Sequence, residues 1–278
     1  MDYPRILTIQ DISCVGQCSL TVALPILSVC GLETCVLPSA VLSTHTAFSG
    51  FTFRDLTDDI PGIAAAWHRA NITFDAFYTG YLGSARQIEL VQDIMCTTGV
   101  PGAKKIIDPA MADDGKLYAG FDAAFAEHMK RLCACADVLL PNLTEACLLT
   151  GTPYRENFSS AEVQQLLDRL GALGADTVVL TGVGGAAVQS GVSVWHQGVT
   201  QRYVHPRIPG HYHGTGDAFA SAFTGALLRG ASAMDAAALA ADFTVASIRA
   251  TQDDPAHWYG VKFERALPLL LERLQSLG

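Results

Sequence analysis

Short runs of apolar, β-branched residues alternate along the chain with segments of helical period. Residues 6–10 (Ile-Leu-Thr-Ile-Gln) form the first run, and a helical pattern follows over 20–29, stopping at Gly31. Residues 34–41 and 74–78 predict two more strands, the latter followed by a helix over 85–95 and a short strand at 105–107. Residues 137–140 and 177–180 predict further short strands, each after a helix. Strands this short and this apolar, set between helices, imply a parallel sheet covered on both faces. From 186 to 203 Val alternates with Gly and polar residues, which predicts antiparallel edge strands. From Thr215 onward the chain reads as nearly all helix, with the Ala-rich stretch 231–250 packing closely. The fold class is therefore α/β: a doubly wound, mostly parallel central sheet with helices on both faces and antiparallel edge strands.

In such sheets ligands bind beyond the carboxyl ends of the strands, so the residues that follow each strand matter most. Asp11 follows the first, and Ser43, Thr44, His45 and Thr46 the second. Thr79, Gly80 and Tyr81 follow the third, Asp108 and Asp113 the fourth, Asn142 and Glu145 the fifth, and Thr181 the sixth. Acidic, amide and hydroxyl groups thus gather at one end of the sheet. The segment from His213 to Ser221, His-Gly-Thr-Gly-Asp-Ala-Phe-Ala-Ser, comes last. There a glycine-rich turn opens a helix whose first amides lack intrahelical partners and whose dipole makes that end positive. Such a turn holds an anion, phosphate above all. Gly214 and Gly216 let the backbone approach it closely. Asp217 at the helix mouth supplies one carboxylate beside the anion, which is what phosphoryl transfer to a hydroxyl needs. A plain capped helix is the other reading of those nine residues.

Composition narrows the partners. With 278 residues, half of them apolar, and no linker, repeat or low-complexity tract, residues 1–278 read as one domain. A net charge of −9 argues against nucleic-acid binding, which rests on Lys and Arg. No basic run marks a membrane-surface patch, and no apolar stretch reaches the roughly 18–20 residues that span a bilayer. Residues 1–5 lead into a strand without the layout of a signal peptide. Eight cysteines without a CxxC pair read as free thiols of a cytoplasmic protein. Cys133 and Cys135 have no neighbouring His or Cys to complete a metal site. No Gly-x-Gly-x-x-Gly follows the first strand, which argues against a dinucleotide oxidoreductase.

Six segments taken in order resemble the ribokinase-like superfamily, and most closely its pyridoxal/pyridoxamine kinase branch. They are Ile9-Gln10-Asp11, Leu42-Ser43-Thr44-His45-Thr46, Thr79-Gly80-Tyr81-Leu82-Gly83-Ser84, Asp108-Pro109-Ala110-Met111-Ala112-Asp113, Pro141-Asn142-Leu143-Thr144-Glu145 and Gly214-Thr215-Gly216-Asp217. The resemblance implies a kinase that moves the γ-phosphoryl of ATP to the 5′-hydroxymethyl of a B6 vitamer. Asp217 matches the family's catalytic base, and Gly214, Thr215 and Gly216 its anion hole. Asp108, Asn142, Thr181, Thr215 and Gly216 match nucleotide contacts. Asp108, Asp113, Glu145 and Thr181 match positions that organise Mg²⁺ and a monovalent cation, K⁺ or Na⁺. Thr46 and Tyr81 match the acceptor pocket. The family further implies a homodimer through edge strands of the sheet, with small molecules as its other partners.

Bland readings stand beside these: Asp108 as a cap before Pro109, Tyr81 as a core tyrosine, Thr181 as a structural strand end, and His45 as a hydrogen-bonded loop residue. At a helix N-terminus Asp217 is expected to have a low pKa, which would make it mainly an orienting group. Asp11 departs from the pattern, because pyridoxal kinases usually carry Ser there. Its carboxylate is expected to pair with a protonated ring nitrogen or a ring hydroxyl. The departure keeps a sugar or hydroxymethylpyrimidine acceptor open, and so does the possibility of a vitamer- or nucleotide-binding protein without turnover. Residues 205–213, rich in Pro, Gly and His, suggest a lid or hinge.

Overall fold

The computed structural model of the protein describes residues 3–184 and 189–276. The first half of the chain runs β1 (Arg5–Ser13), α1 (Leu20–Val29), β2 (Glu33–Leu42), β3 (Phe53–Asp55), α2 (Ile60–Arg69), β4 (Phe74–Thr79), α3 (Ala85–Thr98) and β5 (Gly99–Ile107). A small hairpin follows, β6 (Ala112–Asp113) and β7 (Lys116–Leu117), then α4 (Ala123–Cys133), β8 (Val138–Leu139), α5 (Leu143–Thr150) and α6 (Ser160–Gly171). Next come β9 (Thr177–Leu180), β10 (Gln189–His196), β11 (Val199–Pro206), α7 (Thr215–Leu228) and α8 (Ala233–Thr251). A 3₁₀ turn at Phe263–Ala266 leads into α9 (Leu267–Ser276).

Among the described residues one nine-stranded sheet has the order β11-β10-β9-β8-β5-β4-β1-β2-β3. The six strands from β9 to β2 are parallel. The pairs β2/β3, β9/β10 and β10/β11 are antiparallel. Strand alternation divides the core. Leu7, Ile9, Phe77, Ile107 and Val178 pack into one cluster with residues of α2 to α6. Ile6, Tyr78, Ile106 and Val179 pack into the other, with residues of α1, α7, α8 and α9. Each such side chain, fully buried, contributes about 1.5–3 kcal/mol. The fold is the doubly wound sheet, covered on both faces, that the alternation predicted.

Three details differ from the sequence reading. β3 was not foreseen; it is three residues long with every residue exposed, so it has no apolar pattern to show. The β6–β7 hairpin was not foreseen either. The C-terminal region is not continuous helix: residues 252–262 intervene between α8 and the 3₁₀ turn, where Asp254, Pro255 and Gly260 break the pattern. The edge strands expected from 186 onward begin at Gln189, residues 186–188 lying outside the described residues.

The chain's winding reverses between β1 and β4. β1 leads to β2 on one side, and the later parallel strands extend from β4 on the other. A crevice opens at such a switch point near the strands' carboxyl ends; Gly80-Tyr81 emerge there, and Asp11 and Thr79, expected after their strands, lie within β1 and β4, which run longer than the apolar pattern suggested. Opposite Asp11 the β1–β2 register shifts, so Ser39 and Ala40 of β2 face a single residue of β1. Bulges of this kind re-aim side chains next to binding sites.

Candidate active site

A cavity of about 730 Å³ opens at this end of the sheet. The twelve residues that the resemblance or their chemistry gave a site role line it: Asp11, Thr46, Tyr81, Asp108, Asp113 and Asn142, with Glu145, Thr181, Gly214, Thr215, Gly216 and Asp217; Ser43, Thr44, Thr79 and Gly80 do not. They come from the ends of six parallel strands and from the start of α7, so the fold itself draws them together.

The α7 mouth has the geometry an anion cradle needs. Gly214 caps the helix in the left-handed region, φ 77°. A Cβ there would collide with the Gln17 carbonyl oxygen, so only glycine fits. The first helical closure is Ala218 N–H to the Gly214 carbonyl, 2.9 Å. Among the described residues no acceptor takes the amides of Thr215, Gly216 or Asp217. Gly216 has open space where a Cβ would stand. The Thr215 hydroxyl donates backward to the Tyr212 carbonyl, 3.1 Å, and stiffens the approach to the helix.

Asp217 corrects an expectation. Its carboxyl is pushed up to about 6 rather than held low: burial in the cavity dominates, the Ser19 amide pulls the other way, and the charge of Asp11 adds to the rise. The dipole reasoning omitted the company the side chain keeps. Asp108 is raised well above the usual carboxylate range by burial, then by the charges of Glu145 and Asp217. Glu145 is pushed up to about 8, again mainly by burial.

The Asn142-x-x-Glu145 spacing proves to be a capping box on α5. The Asn142 side chain accepts from the Glu145 amide and Glu145 accepts from the Asn142 amide, each at 2.9 Å. The other Glu145 oxygen accepts from the Met111 amide at 3.1 Å, and the Asn142 side-chain amide donates to the Ala112 carbonyl at 2.8 Å. This pair therefore ties the β5–β6 loop to α5 and fixes Asp108 and Asp113 at the rim. Asp108 is not the cap that Pro109 suggested: among the described residues no amide donates to its carboxylate, and burial with neighbouring charge raises it. Asp113 is exposed on β6 and accepts from the Asp114 amide, 2.9 Å. The Thr181 hydroxyl reaches the Pro141 carbonyl at only 3.5 Å, which leaves it weakly engaged.

At the other end, Tyr81 stacks on Phe121, with ring centroids 5.4 Å apart, and Phe121 stacks on Phe125. Tyr81 is thus an aromatic wall held by its neighbours. Asp11 is 6% exposed and accepts from the Ser13 hydroxyl, 3.3 Å. Burial raises its carboxyl, opposed by the hydroxyls of Ser19 and Ser13. Thr46 is exposed at the mouth. His45 is a hydrogen-bonded loop residue. Its Nδ1 accepts from the Ala47 amide at 3.2 Å, which leaves Nε2–H to donate to the Tyr259 carbonyl at 2.9 Å.

Several lining residues were passed over in the sequence. Ser19, the N-cap of α1, holds a non-glycine φ of 54°. Its hydroxyl lowers the Asp11 carboxyl's proton affinity and its amide that of Asp217, so it stands near both carboxylates. A Ser directly before the apolar run at Leu20 was the available signal. Ser190 and Val192 of β10 and Ala241, Thr244 and Ile248 of α8 wall the far end, too dispersed along the chain to be noticed. His205, Tyr212 and His213 of the suspected lid also line the cavity.

Five carboxylates line this space with no Lys or Arg among the described lining residues. Among the described residues no three His, Cys, Asp or Glu side chains stand ready to hold a metal directly. An acidic cavity without a preformed cage suits Mg²⁺, which keeps several waters and takes its remaining oxygens from phosphate.

This fold and this site define a class, the ribokinase-like phosphotransferases that act on an alcohol group. The phosphomethylpyrimidine kinase family model matches residues 63–260, and the chain belongs to that family. A Bacteroides thetaiotaomicron chain assigned to phosphomethylpyrimidine kinases and solved with pyridoxal is 38% identical. It superposes with a TM-score of 0.92, covering 96% of this chain and 95% of that one. The pyridoxal kinase from Lactobacillus plantarum is 33% identical, TM-score 0.89, covering 97% of each chain. The pyridoxal kinase of Arabidopsis thaliana is 27% identical over 267 residues, 91% of this chain and 84% of that protein. Matches to curated relatives span between 45% and 84% of those proteins' own lengths.

Proposed function

We propose that the protein is an ATP-dependent kinase that phosphorylates the 5′-hydroxymethyl group of pyridoxal, pyridoxamine or pyridoxine. One observation carries the reading: three unpartnered amides at the α7 mouth and the Asp217 carboxylate share a cavity with Asp11, Thr46 and Tyr81. A space of about 730 Å³ accommodates a nucleotide's phosphates and a small heterocycle together.

Asp217 orients the acceptor hydroxyl and takes its proton. A carboxyl near 6 suits this better than an ordinary aspartate, because a base works best when its pKa lies near the working pH. The amides of Thr215 to Asp217 meet the charge that develops on the transferring group, and as main-chain donors they need no rearrangement. Tyr81 offers its face to the flat ring. Asp108, Asn142 and Thr181 face the phosphates. Asp108 and Asp113, with Glu145 and Thr181 behind, are the groups that would hold Mg²⁺, directly or through water, and a monovalent cation. Mg²⁺ supplies neutralisation of phosphate charge. Residues 205–213 serve as the lid, the chain works as one domain, and copies pair as a homodimer through sheet edges.

A second reading, a hydroxymethylpyrimidine kinase, is favoured by the name of the matching family model. One assay separates the two: ATP consumption with pyridoxal, pyridoxamine, pyridoxine and hydroxymethylpyrimidine offered separately. Turnover of the pyrimidine with none of the vitamers overturns the proposal. Turnover of none of the four points to binding without catalysis.

A further inference from the structure

Asp11 is a buried carboxylate that lacks a counter-charge. Among the described residues it forms no ion pair, and no Lys or Arg lines the cavity it faces. Its protein donors are neutral hydroxyls, Ser13 at 3.3 Å and Ser19. The titratable groups around it add no positive charge. They are Cys18 from the β1–α1 loop, Tyr81 from the loop after β4, and Asp217 from α7, itself an acid. Burying a carboxylate unpaired is strongly unfavourable and is ordinarily avoided. Side chains kept in that state cluster at sites whose partner arrives with the ligand.

We propose that Asp11 selects acceptors bearing a positively charged N–H, a protonated ring nitrogen or an exocyclic ammonium, by supplying the buried counter-charge such a group needs. The inference rests on the vitamer-kinase reading and adds what that reading leaves open, the charge state of the acceptor that binds. It favours a cationic nitrogen over a ring hydroxyl for a local reason. Serine already gives Asp11 a neutral donor, no Lys or Arg among the described residues lines the pocket, and burial holds the lining His45 and His213 toward their neutral forms. The placement agrees with this: the β1–β2 register shifts opposite Asp11, and Asp11 and Tyr81 line the same cavity. A flat heterocycle against Tyr81 would bring its edge to this carboxylate. A charge-assisted contact discriminates more strongly than the serine hydroxyl usual at this position.

The test is a cycle that varies protein and ligand together. Dissociation constants are measured by calorimetry at neutral pH for pyridoxine, for pyridoxamine, and for a carbocyclic pyridoxine analogue with C–H in place of the ring nitrogen. The proteins are the wild type, Asp11→Asn and Asp11→Ser. If the ring nitrogen is the partner, the wild type binds pyridoxine about 10- to 100-fold more tightly than the analogue, and Asp11→Asn erases that ratio. If the ammonium is the partner, the pyridoxamine preference over pyridoxine disappears in the variants instead. Either collapse supports the proposal. It is overturned if both preferences survive in Asp11→Asn and Asp11→Ser, or if the wild type shows neither. Asp11→Ser, which carries the residue usual at this position, keeps the test decisive where Asp11→Asn fails to fold. Failure of the wild type to turn over any vitamer overturns the kinase reading instead, a separate result.

Discussion

Replacing Asp217 with Asn sets catalysis against stability in a way the structure lets one calculate. Burial, with the charge of Asp11 behind it, lifts the carboxyl from its usual 3.8 to about 6. At 1.36 kcal/mol per pKa unit that displacement opposes the ionised form by about 3 kcal/mol. Asp217 is half-buried and faces an open cavity, so solvent screening brings the expected figure to about 1–3 kcal/mol. The sign follows from proton counting: a carboxyl with a raised folded pKa binds its proton more tightly folded than unfolded. The penalty is therefore absent below about pH 4, grows between about 4 and 6, and is present in full above 6. Asn keeps the shape and removes the charge. Thermal unfolding of the ligand-free protein should shift upward by about 2–6 °C in Asp217→Asn at pH 7.5 and hardly at all at pH 4.5.

The same change should lower kcat/KM by about 10²- to 10⁴-fold, the usual worth of a positioned base. In the wild type, kcat/KM should fall about tenfold for each pH unit below about 6. Differential scanning fluorimetry and initial rates with saturating Mg²⁺-ATP read the two effects on one preparation. An equal melting shift at both pH values would refute the electrostatic reasoning, and so would rates that stay flat down to pH 5. Turnover preserved in Asp217→Asn would end the assignment of the base.

Gly214→Ala forces a Cβ against the Gln17 carbonyl at a left-handed φ, so it should cost at least about 1–3 kcal/mol, seen in denaturant melts, and most of the activity. Gly216→Ala meets only open space within the protein; its melting temperature should hold or rise slightly while the KM for ATP increases. Glu145→Ala strands the amides of Asn142 and Met111 in a buried site, and urea titration should show a loss of about 2–4 kcal/mol. Chelating Mg²⁺ should abolish turnover and also weaken nucleotide binding by calorimetry, since five carboxylates then face bare phosphates.

The first helix and the central strands could be read from sequence because burial had written a period into them. Residues 20–29 open after Ser19 and close before Gly31, and the prediction matches the structure to the residue. β3 and the β6–β7 hairpin left no such trace, being two or three residues long and mostly exposed. That these residues converge on one cavity was readable because the parallel strands present their carboxyl ends at one edge. Energetic character was not. Asp217 looked like a low-pKa helix-mouth acid, because nothing in residues 213–221 reports that Asp11 and Asp108 stand across the cavity. The tie Glu145 makes between two loops was hidden as well, because the reach of its second oxygen to Met111 spans 34 positions of sequence.

Acidity is what joins these observations. On the proposed reading, a polyanion site with no Lys or Arg among its described lining residues finds its positive charge in main-chain dipoles and in what the ligands carry. The α7 amides supply the first part and cannot titrate or swing away. The second part arrives only with a cation on the phosphates and, at the far end, with an acceptor that can neutralise Asp11. Until both are present, Asp11, Asp108, Glu145 and Asp217 raise one another's proton affinity or bear the cost of burial, which disfavours the empty cavity. Occupancy by the right pair of ligands relieves that cost, whereas a bare nucleotide or an uncharged acceptor relieves half of it or none. Specificity then arises from an unfavourable charge balance in the unliganded protein as much as from contacts made in the complex.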